Sequence, residues 1–295
     1  MFFVCFSTFL CAFLLSFSLF GASKVLALRI GAIDYPNNRK AHATPTARLG
    51  GLSFFVSFSL LIFLFPMAKE IKIPLLAGGI AMFLVGFTDD YLKLSPFAKL
   101  IGQIFASLIY ILLNQESSIL ANALALLWIV FITNATNLID GLDMLASGIG
   151  LGQSLCLFVV ALIFGFWDIA LCFAVLFFAI LGFLPHNFPQ AKIFMGDCGS
   201  LFLGFVLGAL SSKLIIESGS ALCLIAVLLI FRLPSADTLQ SFFRRLIKRK
   251  NPFAADKGHF HHLLLNIGFS KECSALALIF TSLVFGFLGV LLVVI

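Results

Sequence analysis

Two aspartates stand side by side in GFTDDYLKL, Gly86 to Leu94, in a chain where 61% of residues are hydrophobic and 11% are charged. Adjacent carboxylates repel unless a proton or a cation lies between them. Asp89 and Asp90 therefore suit a divalent metal, or a base held beside one; a hydrated pair at a helix end is the plainer reading. TNATNLIDGLDMLASG, Thr133 to Gly148, adds Asn137, Asp140 and Asp143 at spacings of three, one face if helical. Capping a helix break uses one such residue, and three are present. Gly141 among them permits a sharp bend or a close approach to a ligand.

Three further stretches carry polar chemistry. NFPQAKIFMGDCGSLFLG, Asn187 to Gly204, sets Gly196 and Asp197 at the start of an apolar helix, where free backbone N–H groups suit a phosphate. Phe194 in it is either a stacking platform for a base or lipid-facing filler. DKGHFHHLLLNIGFS, Asp256 to Ser270, gathers His259, His261 and His262 in a chain with five histidines. No nearby cysteine or H-E-x-x-H pattern supports zinc; imidazole N–H groups on phosphate are the other reading. DYPNNRKAHATPTARLGG, Asp34 to Gly51, carries Arg39, Lys40, His42 and Arg48, which can hold phosphates or simply mark a basic loop.

What must position these residues is a membrane protein. The chain has 295 residues, a mean hydropathy of +1.14 and apolar runs of roughly 16 to 25 residues over most of its length. The expected fold is all-α, a single integral-membrane domain over 1–295. About ten transmembrane helices are expected, near 3–28, 49–66, 73–88, 97–113, 119–136, 145–164, 169–185, 199–216, 219–233 and 273–295. Basic residues follow the first run rather than precede it, so a retained helix is expected rather than a signal peptide. The seven cysteines show no ligand-like spacing and read as small hydrophobes.

The connecting segments fall into two alternating sets. One comprises 29–48, 89–96, 137–143, 186–197 and 232–272, and its side of the membrane holds 16 of the 19 Lys and Arg residues. The positive-inside rule puts that set in the cytoplasm and both termini outside. The same set carries the aspartates and histidines above, which predicts one active site on the cytoplasmic face. Within it, SADTLQSFFRRLIKRK has apolar residues at helical spacing with basic residues between them, the pattern of an interfacial helix on an anionic leaflet. The net charge of +6 is thus accounted for without nucleic acid. A non-enzymatic transporter is the competing class, but it would bury charge at the bilayer midplane.

RKAHATPTARLGG, GFTDDYLKLSP, NATNLIDGLD, FMGDCGSLFLG and GHFHHLL, in that order, resemble the bacterial polyprenyl-phosphate N-acetylhexosamine-1-phosphate transferases over nearly the whole chain. TARLGG and GHFHHLLLNIGFS look more like the WecA type, which uses UDP-GlcNAc, than the MraY type, which uses UDP-MurNAc-pentapeptide. Ala47 and Met144 depart from the usual pattern, standing where Pro and Gly are common. The resemblance implies transfer of GlcNAc-1-phosphate from a UDP-N-acetylhexosamine to undecaprenyl phosphate in the bacterial cytoplasmic (inner) membrane. UMP is released, and a cell-envelope glycan such as O-antigen is begun. The MraY-type reaction is the alternative. Mg²⁺ is the implied cofactor, with Mn²⁺ as a substitute, and a second copy of the chain is a candidate partner. Asp197 and Asn137 are implied for the metal. Asp89 and Asp90 fall to the base or its support, and Asp140 and Asp143 to nucleotide orientation. Asn187, Phe194, Gly196, Arg48, His259, His261 and His262 are implied for nucleotide or phosphate binding.

Overall fold

The computed structural model describes residues 2–35, 45–114, 118–249 and 258–295. Arg39, Lys40, His42 and Asp256 lie outside the described residues. The helices are α1 (Phe2–Ile30), α2 (Gly51–Leu64), α3 (Lys69–Leu92), α4 (Pro96–Leu113), α5 (Ile119–Ile139), α6 (Leu145–Ile163), α7 (Trp167–Asn187), α8 (Gly196–Ser218), α9 (Ala221–Ile230), α10 (Arg232–Ile247), α11 (Phe260–Asn266) and α12 (Lys271–Val294). Eight are long and apolar enough to cross a membrane: α1, α3 to α8 and α12. Every expected helix has a counterpart, so the chain is a multi-pass helical membrane bundle.

The bundle is organised around α8, which is buried along most of its length and packs most extensively on α5 and α3. α6 packs on α7 and α12, and α1 on α7 and α2. Leu, Ile and Phe exposed on the outer helices, such as Phe105, Leu112 and Phe280, face what would be hydrocarbon, where exposure carries no hydrophobic penalty. Local signals set several helix starts. Ser95, Ser118 and Ser270 each accept a hydrogen bond from the backbone N–H three residues on, capping α4, α5 and α12. Pro96 sits at the first position of α4, where its missing N–H is not needed.

Three details differ from the sequence expectation. A two-residue antiparallel ribbon, β1 (Ile33–Asp34) with β2 (Thr46–Ala47), pairs Ile33 with Ala47 and Asp34 with Thr46. Such a pair is too short to give a periodic signal. α3 begins at Lys69 rather than near 73, with Pro74 inside it. Pro74 is the sixth residue of α3, past its first turn, and lacks the N–H that would bond to the Glu70 carbonyl. The run expected as one helix over 219–233 ends at Ile230, and α10 leaves it at a 70° bend.

Candidate functional site

The functional side chains meet where the ends of α3, α5 and α7 face the beginnings of α2, α4, α6, α8 and α12. The segment before α8 is laced to its neighbours by main-chain bonds. Phe194 N donates to Ala47 O at 2.8 Å, Gly50 N to Phe194 O at 2.9 Å and Gly51 N to Met195 O at 2.8 Å. Gly196 then turns into α8 at φ +74°, and a Cβ there would collide with the Arg48 carbonyl. Only glycine fits that approach without strain.

Asp89 and Asp90, one residue apart on α3, do different things. Asp90 is 4% exposed and accepts from two main-chain donors, Asp197 N and Cys198 N, both at 2.9 Å. It caps the N-terminus of α8 from another helix, the position where a carboxylate is most favourable. Asp89 turns the other way, 2.8 Å from the ammonium of Lys99 on α4. Lys99 also reaches Asp197 Oδ2 at 3.1 Å. Asp197 is the point of convergence: Asn137 Nδ2 donates to its Oδ1 at 2.5 Å, and Arg48 approaches its Oδ2 at 3.6 Å. Asn137 also donates to Ser200 Oγ at 2.8 Å. Arg48, carried in by β2, lies 3.6 Å from Asp90 and 3.8 Å from Asp34. Burial alone would lower its pKa, but Asp197, Asp90 and Asp34 outweigh that and hold the guanidinium above its ordinary range.

Through Arg48 and Asp34 this cluster adjoins a cavity of about 340 Å³ lined by Asp34, Arg48, Asp140, Gly141, Asp143, Asn187, Phe194, Gly196, His261, His262, Lys271 and Glu272, among others. Asp140, just past α5, is pushed up to about 7 by burial, then by Asp197, with Arg48 opposing. Asp143 accepts from Ala191 N at 3.0 Å. Asn187 is buried and committed to the fold: its Oδ1 accepts from Met144 N at 3.2 Å and Ser147 Oγ at 2.8 Å, and its Nδ2 donates to Ile193 O at 3.2 Å. That grip holds Met144 at φ 58°, a left-handed conformation costly for a residue with a Cβ. His261 is 4% exposed, lies over Gly141 and has no partner for Nδ1. Burial, with His262 and His259 adding to it, pushes its pKa down to about 4.

The structure thus brings Asp89, Asp90, Asn137, Asp140, Asp143, Asp197, Asn187, Phe194, Gly196, Arg48, His261 and His262 to one end of the bundle. His259 lies beside them, its ring 5.9 Å from that of His261 and its Nδ1 paired with Asp237 Oδ2 at 2.7 Å; like Asp89, Asp90, Asn137 and Asp197 it is not among the residues that line the cavity. Lys99, Asp34, Lys271 and Glu272 were not singled out in the sequence. Lys99 reads there as one more basic residue near a loop, although it follows the aspartate pair by a single turn and a helix start. Asp34 reads as an ordinary loop residue.

The donor set is all oxygen and suits a hard cation. Among the described residues, no group of three or more Asp, Glu, His or Cys side chains could share an ion. Mg²⁺ asks for less, since one or two carboxylates with water and substrate phosphate suffice. Asp89 and Asp197 already converge on one cationic centre, the Lys99 ammonium.

Fold and site define a multi-pass membrane protein with a polar cavity at one end, lined by carboxylates, histidines and basic side chains. Residues 73–215 match the family model described as glycosyl transferase family 4. The chain is 36% identical to decaprenyl-phosphate N-acetylglucosaminephosphotransferase of Mycolicibacterium smegmatis, over 87% of this chain and 74% of that protein. A probable undecaprenyl-phosphate N-acetylglucosaminyl 1-phosphate transferase of Bacillus subtilis is 34% identical, over 91% and 79%. Undecaprenyl-phosphate alpha-N-acetylglucosaminyl 1-phosphate transferase of Thermotoga maritima is 33% identical, over 94% and 87%. The chain belongs to glycosyl transferase family 4, among its polyprenyl-phosphate N-acetylglucosamine-1-phosphate transferase-like members.

Proposed function

We propose that the protein transfers N-acetylhexosamine-1-phosphate, GlcNAc-1-phosphate first among the candidates, from a UDP-sugar to undecaprenyl phosphate at the cytoplasmic face of a bacterial inner membrane. The observation that carries this reading is the convergence of Asp89, Asp197, Asn137 and Lys99 on one another and on Arg48, which lines a cavity walled by Asp140, Asp143, His261 and His262. An oxygen of the lipid phosphate attacks the β-phosphorus of the donor. The bond from that phosphorus to the oxygen of UMP breaks, and UMP leaves. Asp197 and Asp89 would hold Mg²⁺, which would supply charge neutralisation on the transferring phosphate.

The protein's own groups do the rest by position and charge. Arg48 and Lys99 face the phosphates from two sides, as phosphoryl transfer requires. Asp89, at the end of α3, keeps the acceptor phosphate ionised. Asp140 and Asp143 orient the nucleotide, and Phe194 offers a face on which uracil can stack. His261 and His262 offer imidazole N–H groups to the diphosphate.

The test is UMP release from purified protein given Mg²⁺ and undecaprenyl phosphate, with UDP-GlcNAc, UDP-GalNAc or UDP-MurNAc-pentapeptide supplied separately. UDP-GlcNAc is expected to support turnover. Asp89→Asn and Asp197→Asn should abolish it, whereas Asp168→Asn, which removes only a contact to Ala68 N at the opposite end, should leave it intact. Failure of every donor to yield UMP refutes the proposal.

A further inference from the structure

α10 has two faces. Its apolar residues Leu239, Phe242, Phe243, Leu246 and Ile247 are exposed, as an interfacial helix requires. The opposite face carries Asp237, Ser241 and Arg244, spaced by four and three and therefore aligned. Asp237 and Ser241 are each 1% exposed. A buried carboxylate must be matched by donors, and these come from the histidine segment. Asp237 Oδ1 accepts from Phe260 N at 2.6 Å, and Asp237 Oδ2 pairs with His259 Nδ1 at 2.7 Å. Ser241 Oγ lies 3.3 Å from the same nitrogen. Arg244 donates to Gly258 O at 2.8 Å and to Ser241 Oγ at 3.1 Å.

Phe260 N is the first backbone donor of α11, the short helix that carries His261 and His262 into the cavity, and His259 makes no cap bond of its own there. The missing cap comes from α10. His259 in turn lies parallel to His261, ring centroids 5.9 Å apart and planes 5° apart.

We propose that Asp237 is a positioning residue: it caps α11 from α10, fixes the His259 ring, and so sets His261 and His262 against the donor. Asp237 does not line the cavity and touches no reacting atom. The proposal rests on the reading of that cavity as the UDP-sugar site.

Its test is a kinetic cycle in UMP release with Asp237→Ala, His261→Ala and the double variant. Asp237→Ala should lower kcat/KM for the UDP-sugar by about 10- to 100-fold, the usual effect of removing a group that orients a functional histidine. The KM for undecaprenyl phosphate should stay within about twofold. Asp237→Asn keeps an oxygen for Phe260 N and should recover part of the loss. In the His261→Ala background, Asp237→Ala should cost less than about threefold more, because groups acting through one another are not additive. Multiplying losses, or an equal rise in both KM values, would overturn the proposal. Should Asp237→Ala fail to insert, Asp237→Asn carries the same cycle with the same criteria. A wild type silent with every UDP-sugar overturns the functional reading, and this proposal with it. An active wild type with multiplying losses overturns the positioning role alone.

Discussion

Asp90→Asn separates two neighbouring carboxylates that look equivalent in sequence. Asp90 receives Asp197 N and Cys198 N, each at 2.9 Å, one on each oxygen. Asparagine keeps one acceptor and turns an NH₂ toward the other N–H. One charge-assisted bond, worth about 1.5–3 kcal/mol, is lost and the remaining one becomes neutral. Loss of the carboxylate from a helix N-terminus adds about 0.3–1 kcal/mol. Relief of repulsion from Asp197 and loss of attraction to Arg48, 3.6 Å away, oppose each other, so a net loss of about 2 kcal/mol is expected. On the scale of 2–4 °C per kcal/mol for chains of comparable size, the melting temperature should fall by about 4–8 °C. A thiol-reactive dye can follow unfolding in detergent, because Cys156, Cys172, Cys198 and Cys223 are buried and free. UMP release, measured well below the new midpoint, should remain at a tenth of wild type or more, while Asp89→Asn abolishes it. An unchanged melting temperature with turnover lost as completely as in Asp89→Asn would refute the cap.

Two further outcomes follow from the same geometry. Lys99→Met strands Asp89 and Asp197 without their shared ammonium, and removing one partner from such a cluster costs about 3 kcal/mol. The variant's melting temperature should fall in EDTA and rise with added Mg²⁺ by more than that of wild type; a wild-type midpoint in EDTA would contradict this. His261 is held near 4 against an ordinary 6.5, so between those values the unfolded chain binds a proton that the native state refuses. The His261 contribution to stability should fall by about 3 kcal/mol as pH drops from about 6.5 toward 4, while Asp140, pushed up to about 7, contributes in the opposite sense over the same range. In His261→Gln the melting temperature at pH 5 should rise relative to that at pH 7, because only the Asp140 contribution remains; an unaltered slope would argue against a buried neutral imidazole.

Much of the fold was legible because its signals are local and cumulative. Apolar runs declare spans, and Ser95-Pro96 declares the start of α4. The scarcity of charge made Asp89, Asp140, Asp143 and Asp197 conspicuous before any geometry was known. What sequence could not convey was direction. Asp89 and Asp90 are adjacent, and adjacent helical positions point about 100° apart; only the packing of α3 on α8 decides which becomes a cap. Lys99 was hidden because one more cation on a basic side carries no information of its own. α10 shows the same limit: its amphipathic pattern rightly gave an outward apolar face. Its opposite face also grips Gly258, His259 and Phe260, through Arg244 and Asp237. Asn187 lines the cavity, and its amide also binds Met144, Ser147 and Ile193, a structural part that the sequence did not convey.

The joint between α3 and α8 has a consequence for how this sequence can drift. Asp90 holds the main-chain N–H groups of residues 197 and 198, and main-chain donors are present whatever side chain they bear. The cysteine at 198 can therefore be exchanged for another small residue that fills its buried space, and the register of the two helices is inherited unchanged. Proline is different: lacking the N–H, it would release one arm of the joint whatever its volume. The mutational freedom of position 198 is set by its backbone donor and its volume, while that of position 90 is set by its charge.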